Sequence, residues 1–501
     1  MKKLITIYVV IFCLVSTSCN EDFLDTTDPT RVGSELFYKD LKQLQQALNG
    51  IYGQLQGITN TAYLFKEFNT DNTTLDFSPV DRGGAVGWEA FEFSTVNSGT
   101  GDISNLWNSY YSSLYNINFT LEKLEASTDI EESAKTEVEG QLKFLRAYYY
   151  FDLITYFGDV VLVTSTLDTP DEAFDLVRSP QDEVYAQVIS DLTDAAAALP
   201  ASYPAAKLGS ATKGAALTLL GKVYLTRKQY AEAENTLRQV LTLGYALNAN
   251  YADNFNPTKK NGIESIFEVQ YQGDNDLGEQ SNFLYVFIPR LSQGAITGFP
   301  STVGGGRNIP TNDIISEFEA GDLRKDVSLK EGYTNASGVY VPIPYVNKYN
   351  HPHTIVNRTN SNWPVLRYSD VLLMLAEVIN EQDGPTTEAY DFLNQVRDRA
   401  DLGPVSGLDK NSFRDAVLHE RRIELAFENH RWLDLKRTKT PAELAAFMNA
   451  YGAVEKANPT VSRGGISFNA LDYVYEEHEY LFPIPAAQIL INNKLIQNDG
   501  Y

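Results

Sequence analysis

The sequence predicts a mostly α fold, a scaffold of packed helix pairs carrying long irregular insertions and a few short strands. Three observations carry this expectation. Apolar residues recur at helical spacing over roughly 34–243 and 365–450, whereas the stretches between and after are rich in Gly, Pro, Asn and short β-branched runs. Residues 211–244 form a helical hairpin pattern: Ala216, Leu220, Val223 and Tyr224 share one face, Gln229 and Tyr230 mark the turn, and Ala233, Leu237, Val240 and Leu241 share the next face before Gly244. That spacing recurs, because Ala389, Leu393 and Val396 stand four and three apart, as Ala233, Leu237 and Val240 do.

The chain opens on Lys2 and Lys3, an apolar run over 4–15, and the small residues Ser16, Thr17 and Ser18 before Cys19, the anatomy of a secretory leader. The run is shorter than the roughly 20 residues a spanning helix needs. Both cysteines, Cys13 and Cys19, fall in this segment, so no disulfide is expected after its removal. The small-small-Cys ending resembles the bacterial lipobox, although Ser16 stands where lipoboxes prefer Leu. This resemblance marks residues 1–18 as the leader and Cys19 as the lipidated anchor. Glu21, Asp22 and Asp25 behind it resemble a surface-export signal, placing the body outside the cell.

Four helix pairs are expected: 36–52 with 106–124, 135–157 with 181–199, the hairpin 211–244, and 368–400. The hairpin, with Leu220-Gly221, Tyr224, Tyr230 and Ala233 in order, matches the tetratricopeptide pattern, and four pairs exceed the about three repeats such a stack needs. Residues 70–97 and 273–363 are long polar insertions, of a length that is unusual unless functional. The alternation over 264–271 reads as a short strand. The stretch 420–437 reads as one helix laced with ion pairs, with Trp432 and Leu435 packed inward. Pro483 and Pro485 make 481–485 extended. The chain divides into the leader 1–18, an N-terminal part 19–260 and a C-terminal part 261–501.

The formal charge is −24, and removal of 1–18 takes two lysines and no acid, leaving −26. A field of this sign disfavours nucleic acid and anionic lipid. No His-Glu-x-x-His, Gly-x-Ser-x-Gly or phosphate-binding loop occurs; Gly304-Gly305-Gly306-Arg307 reads as a flexible turn. His351 and His353 read as surface-loop residues, and His478 has no second histidine near it. Glu420, Glu424 and Glu428 at helical intervals read as ion-pairing rather than as a glycosidase acid and base. No cofactor, metal or catalytic residue is expected.

The ordered landmarks Phe23-Leu24-Asp25, Phe144-Leu145-Arg146-Ala147-Tyr148-Tyr149-Tyr150, Glu264-Ser265-Ile266-Phe267-Glu268-Val269, Arg367-Tyr368-Ser369-Asp370-Val371, Glu420-Arg421-Arg422-Ile423-Glu424-Leu425-Ala426-Phe427-Glu428-Asn429-His430-Arg431-Trp432 and Pro483-Ile484-Pro485 resemble the SusD/RagB family of outer-membrane lipoproteins over nearly the whole chain. The resemblance implies a tetratricopeptide-like fold and a surface protein that captures neutral oligosaccharide or polysaccharide without cleaving it. It also implies delivery to a SusC-like TonB-dependent transporter that the protein caps. Peptide capture, as in the RagB branch, and a purely structural lid remain open.

Sugar recognition needs flat aromatic faces beside amides, carboxylates and guanidinium forks. The family's ligand loops vary, so the ligand residues are read from the insertions themselves. They are Trp88 first, with Asp71, Asn72, Phe77 and Arg82 around it, then Tyr285, Phe299, Arg307, Tyr345 and Trp363. Trp107 and Trp432 lie in helical patterns and are assigned to the core.

Overall fold

The computed structural model describes residues 38–77, 85–300 and 302–501; the leader, Cys19 and Arg82 lie outside them. Helix α1 (Leu41–Lys66) begins where the Asp40 side chain accepts a hydrogen bond from Gln43 N at 2.8 Å, a side-chain cap for an otherwise orphaned amide. There follow α2 (Ala85–Glu92), α3 (Gly101–Ala126), α4 (Glu132–Phe157), α5 (Gln181–Ala198), α6 (Lys213–Thr226) and α7 (Tyr230–Val240). After the second insertion come α8 (Tyr368–Asp383), α9 (Thr387–Arg399), α10 (Lys410–Glu424), α11 (Arg431–Thr438) and α12 (Pro441–Ala457). Thr212, Thr386 and Thr440 cap α6, α9 and α12, the last through a capping box with Glu443.

The four expected pairs are present, as α1 with α3, α4 with α5, α6 with α7, and α8 with α9. A Cβ at Gly221 would fall 2.5 Å from Leu237 Cγ, so only glycine lets α6 and α7 approach this closely. Helix α4 is buried nearly all round its C-terminal half, through Tyr149, Tyr150, Leu153, Tyr156 and Phe157, and forms the middle of one apolar core reaching from Leu44 to Leu495. Trp107 belongs to this core, and Trp432 and Leu435 to a smaller cluster with Tyr451 and Tyr473. The strand Ser265–Val269 pairs antiparallel with Trp363–Arg367. Residues 481–485 are extended, and Phe482 N donates to Tyr156 O at 2.8 Å.

The stretch 420–437 is two helices, not one. It breaks between Glu424 and Arg431, where Phe427 and Asn429 take φ of 63° and 67°. Backbone strain at such residues persists only where surroundings over-determine it. Here Glu428 is held by Lys348 and Arg367, and Asn429 N donates to Glu67 Oε1 at 2.7 Å.

Candidate functional site

The two insertions meet. Thr73–Thr74 pairs antiparallel with Ile309–Pro310, and Thr311 Oγ1 donates to Asp71 O at 2.7 Å. Just before this ladder, the Gly-rich segment lies against residues 285–290: Gly305 N donates to Tyr285 O at 2.7 Å, Gly306 N to Ile288 O at 2.9 Å and Arg307 N to Val286 O at 3.1 Å. A Cβ at Gly305 would fall 2.5 Å from Val286 O, and one at Gly304 would overlap Pro289 O. The glycines therefore serve close backbone approach rather than the flexible turn expected of them.

That contact fixes Arg307. Its guanidinium carbon sits 3.2 Å from the Trp88 ring centroid, and its Nη1 donates to Tyr63 Oη at 2.8 Å. Trp88 is half-buried on α2, a helix inside the insertion that the polar composition did not announce. Burial raises the Asp102 carboxyl above its usual range, and Arg307 opposes the shift.

Beside this pair, Tyr285 and Tyr345 pack with Leu284, Ile288 and Tyr333 in a small apolar cluster. The Tyr285 hydroxyl is 2.6 Å from His353 Nε2, and the half-buried Phe299 ring lies over His353 at 5.1 Å between centroids. The backbone ladder between 285–290 and 304–307 joins this cluster to Trp88 and Arg307. The half-buried Trp88, Arg307 and Phe299 are thus connected, but Tyr285 and Tyr345, expected as ligand residues, are buried at 4% and 8% exposure and support the region from within.

The other expected residues sit elsewhere. Asp71 is 2% exposed and takes both Arg431 hydrogen bonds, at 2.8 and 2.7 Å, with Arg422 at 2.8 Å. Burial pushes its carboxyl up, but the two guanidiniums outweigh this and hold it at about 2. Asn72 Oδ1 accepts from Arg422 Nε at 2.8 Å. Trp363 is inside the core, stacked on Tyr349 at 5.1 Å and 14°. Phe77 lies under the Arg463 guanidinium at 4.0 Å.

The three glutamates of α10 and the break after it are fully engaged. Glu424 faces Arg324 at 3.1 Å, Arg367 at 2.8 Å and Arg399 at 2.5 Å; Glu428 faces Lys348 at 2.6 Å and Arg367 at 2.8 Å; Glu420 faces Arg324 and Arg397. Burial alone would raise Glu424; Arg399, Arg367 and Arg324 together hold its carboxyl well below the ordinary range. Buried and ion-paired, these carboxylates form a structural network rather than a pair flanking an open glycosidic bond.

Tyr63 and Asp102 complete the region and were not singled out from sequence, and His353, read there as a surface-loop residue, is half-buried against Tyr285. The signal for His353, its proximity to His351, was visible, but its orientation toward Tyr285 depends on a contact 68 residues away. Among the described residues no group of three or more His, Cys, Asp and Glu is placed to hold a metal, and no helix is long and apolar enough to cross a membrane.

A profile of the SusD family matches residues 325–501, and one described as "Starch-binding associating with outer membrane" matches residues 22–225. A SusD-like protein of Formosa agariphila is 28% identical over 480 residues, covering 87% of this chain and 90% of that protein. The crystal structure of a SusD superfamily protein from Parabacteroides distasonis superposes with a TM-score of 0.77 at 26% identity, covering 94% of this chain and all of that one. A laminarin-binding SusD-like protein gives a TM-score of 0.77 at 25% identity, over 93% of this chain and 100% of that chain.

Proposed function

Because this chain belongs to the SusD family, we propose that it is a non-catalytic, lipid-anchored protein of the outer-membrane surface. It captures a neutral oligosaccharide or polysaccharide and hands it to a SusC-like TonB-dependent transporter. The observation that carries the binding part of this reading is the joined region of Trp88, Arg307, Phe299, Tyr285 and Tyr345. There a half-buried indole is held by a guanidinium at 3.2 Å, and a second ring, Phe299, is braced on His353 and linked to Arg307 through Tyr285 and the backbone ladder.

A sugar presents C–H faces and hydroxyls in alternation. Flat rings take the first and fixed guanidinium, phenol and imidazole groups the second. Asp71 and Asn72 act by positioning, through the Arg422 and Arg431 contacts at the base of the insertion. Arg82, Phe77 and Trp363 are assigned no direct contact in this reading. The description "associating with outer membrane" of the N-terminal match supports the location, and the Cys19 leader supports the anchor. The similarity to a laminarin-binding protein makes a neutral β-glucan the first ligand to try.

The test is retardation of the chain from residue 20 onward in native gels containing laminarin, starch or xylan, with analysis of any products. Retardation by one polymer, no hydrolysis, and loss of retardation in a folded Trp88→Ala variant are the expected results. Product release, or an unaffected Trp88→Ala variant, would refute the non-catalytic role or the site respectively.

A further inference from the structure

A cleft of about 700 Å³ has neither Trp88 nor Arg307 in its lining. It lies between α1, the turn around Gly209 and the segment 257–274, and its rim reaches Pro352, one residue from His353. This volume is within the roughly 300–1,000 Å³ typical of small-molecule sites. Its lining includes five side-chain amides: Asn49 and Gln56 from α1, Gln270 and Gln272 beyond the strand, and Asn360.

These amides are not loose. Gln270 and Asn261 exchange two hydrogen bonds at 2.9 Å, Asn362 donates to Gln270 Oε1 at 2.8 Å, and Gln56 Nε2 donates to Gln270 O at 2.8 Å. Asn360 is fixed between Gly273 N and Asp274, both at 2.6 Å. At the floor, Glu268 is 5% exposed and accepts from Asn362 at 2.8 Å. Gly209, at φ +94°, brings its turn against Gln270, whose Cγ would lie 2.5 Å from a Cβ there. The array is pre-organised, which lowers the ordering cost of binding.

A second observation is independent of the cleft. Gly50, Gly53 and Gly57 occupy one face of α1, three and four residues apart, exposed and with no atom within 4 Å of the Cβ each lacks. Glycine is the poorest helix former after proline, so three on one exposed face leave a bare backbone strip where nothing among the described residues requires it. Close approach of a ligand to the backbone does require it. Gly53 lies in the cleft lining.

We propose that this cleft is a second binding site, separate from the aromatic region, for an uncharged polyhydroxylated ligand, a short neutral oligosaccharide segment lying along the glycine strip. The Gln270 amide is saturated by Asn261, Asn362 and Glu268 O and acts as a brace, whereas Gln56, Gln272 and Asn360 keep donors and acceptors to offer, as each hydroxyl does. The charged lining residues are Lys260 against Glu268, Asp274 and Glu279, an excess of acid that disfavours uronic or sulfated sugars. The inference rests on the glycan reading for its ligand class but not on the Trp88 site.

The test is isothermal titration of the full chain, in detergent, with laminaritetraose, cellotetraose, maltotetraose and xylotetraose. Gly53→Trp fills the cleft, Gly57→Trp adds the same bulk one turn further on and outside the lining, and Trp88→Ala disables the aromatic region. Thermal unfolding checks that each variant folds, and Gln272→Ala probes the cleft should Gly53→Trp not fold. At least one sugar should bind the unmodified chain at two sites. Gly53→Trp or Gln272→Ala should weaken the cleft site by about tenfold or more, Gly57→Trp, at the end of the strip, should weaken it less, and Trp88→Ala should leave that site intact. Failure of all four sugars to bind, or unchanged binding in whichever cleft variants fold, overturns the second site. Loss of all binding in Trp88→Ala with none in the cleft variants overturns it while the aromatic site stands. The reverse pattern overturns the aromatic site and supports the cleft.

Discussion

Replacing Glu424 by Gln keeps the side-chain volume and removes one charge from the centre of the ion network. In the native chain that carboxylate faces Arg324, Arg367 and Arg399 within 3.1 Å, and none of the four side chains is more than 4% exposed. Breaking a buried pair by removing one partner costs about 3–5 kcal/mol, because the opposite charge is left buried without compensation. At about 2 °C per kcal/mol for a large chain, the melting temperature should fall by roughly 6–10 °C. The control is Glu388→Gln. Its pair with Arg238 has side chains 49% and 37% exposed, so its loss should cost under about 1 kcal/mol. Acid sharpens the test. The Glu424 carboxyl is held far below its unfolded value, so its contribution is complete above the unfolded pKa of about 4.3 and declines by about 1.4 kcal/mol per pH unit below it. Urea unfolding of the chain from residue 20 onward, at pH 7 and then at falling pH, should show the gap between native and Gln chains narrowing only below about 4.3. A variant within about 1 kcal/mol of the parent at pH 7, or a gap indifferent to acid, would refute the reasoning.

Gly305→Ala should displace the 302–307 segment, because its Cβ would fall 2.5 Å from Val286 O; a stability loss of about 1–3 kcal/mol by urea titration, with weakened glycan retardation in native gels, is expected. Gly53→Ala should act oppositely, since nothing lies within 4 Å of the added methyl; α1 should gain about 0.4–1 kcal/mol, read as a raised unfolding midpoint. Burial pushes the Glu67 carboxyl up to about 8, so the folded state favours its protonated form. That contribution is complete below the unfolded pKa of about 4.3 and is lost as pH rises through the folded value, so Glu67→Gln should flatten the fall in unfolding midpoint between pH 5 and pH 9, to the order of magnitude of this linkage.

The helix pairs were legible because burial imposes a period on sequence, and Ala233-Leu237-Val240 against Gly221 is such a period read correctly. The break after Glu424 was not legible. Residues 425–430 contain neither Gly nor Pro, and the positive φ at Phe427 and Asn429 is imposed by Lys348, Arg367 and Glu67, distant in sequence. Asp71 and Trp363 read as insertion residues available to a ligand, yet composition gives no hint that Arg422 and Arg431 claim the one and Tyr349 the other. The Gly304–Gly306 run was visible but misread, because glycine signals freedom and close approach alike, and only the neighbouring backbone at Val286 distinguishes them.

The ion network and the insertions are one mechanical arrangement. Long polar loops lose more conformational entropy on binding than rigid elements do, so a ligand region built on them is effective only if folding has already fixed it. Here the fixing groups can be traced. Arg422 and Arg431, from α10 and the start of α11, hold Asp71 and Asn72 at the root of the first insertion, and the Thr73–Pro310 register carries that root to the second. Within three residues of that register, Arg307 spans from Tyr63 on α1 to Trp88 on α2. The charged motif between Glu420 and Arg437 therefore fixes the loops on which the proposed ligand region stands. Its carboxylates balance buried guanidiniums, and its outermost guanidiniums anchor the loops.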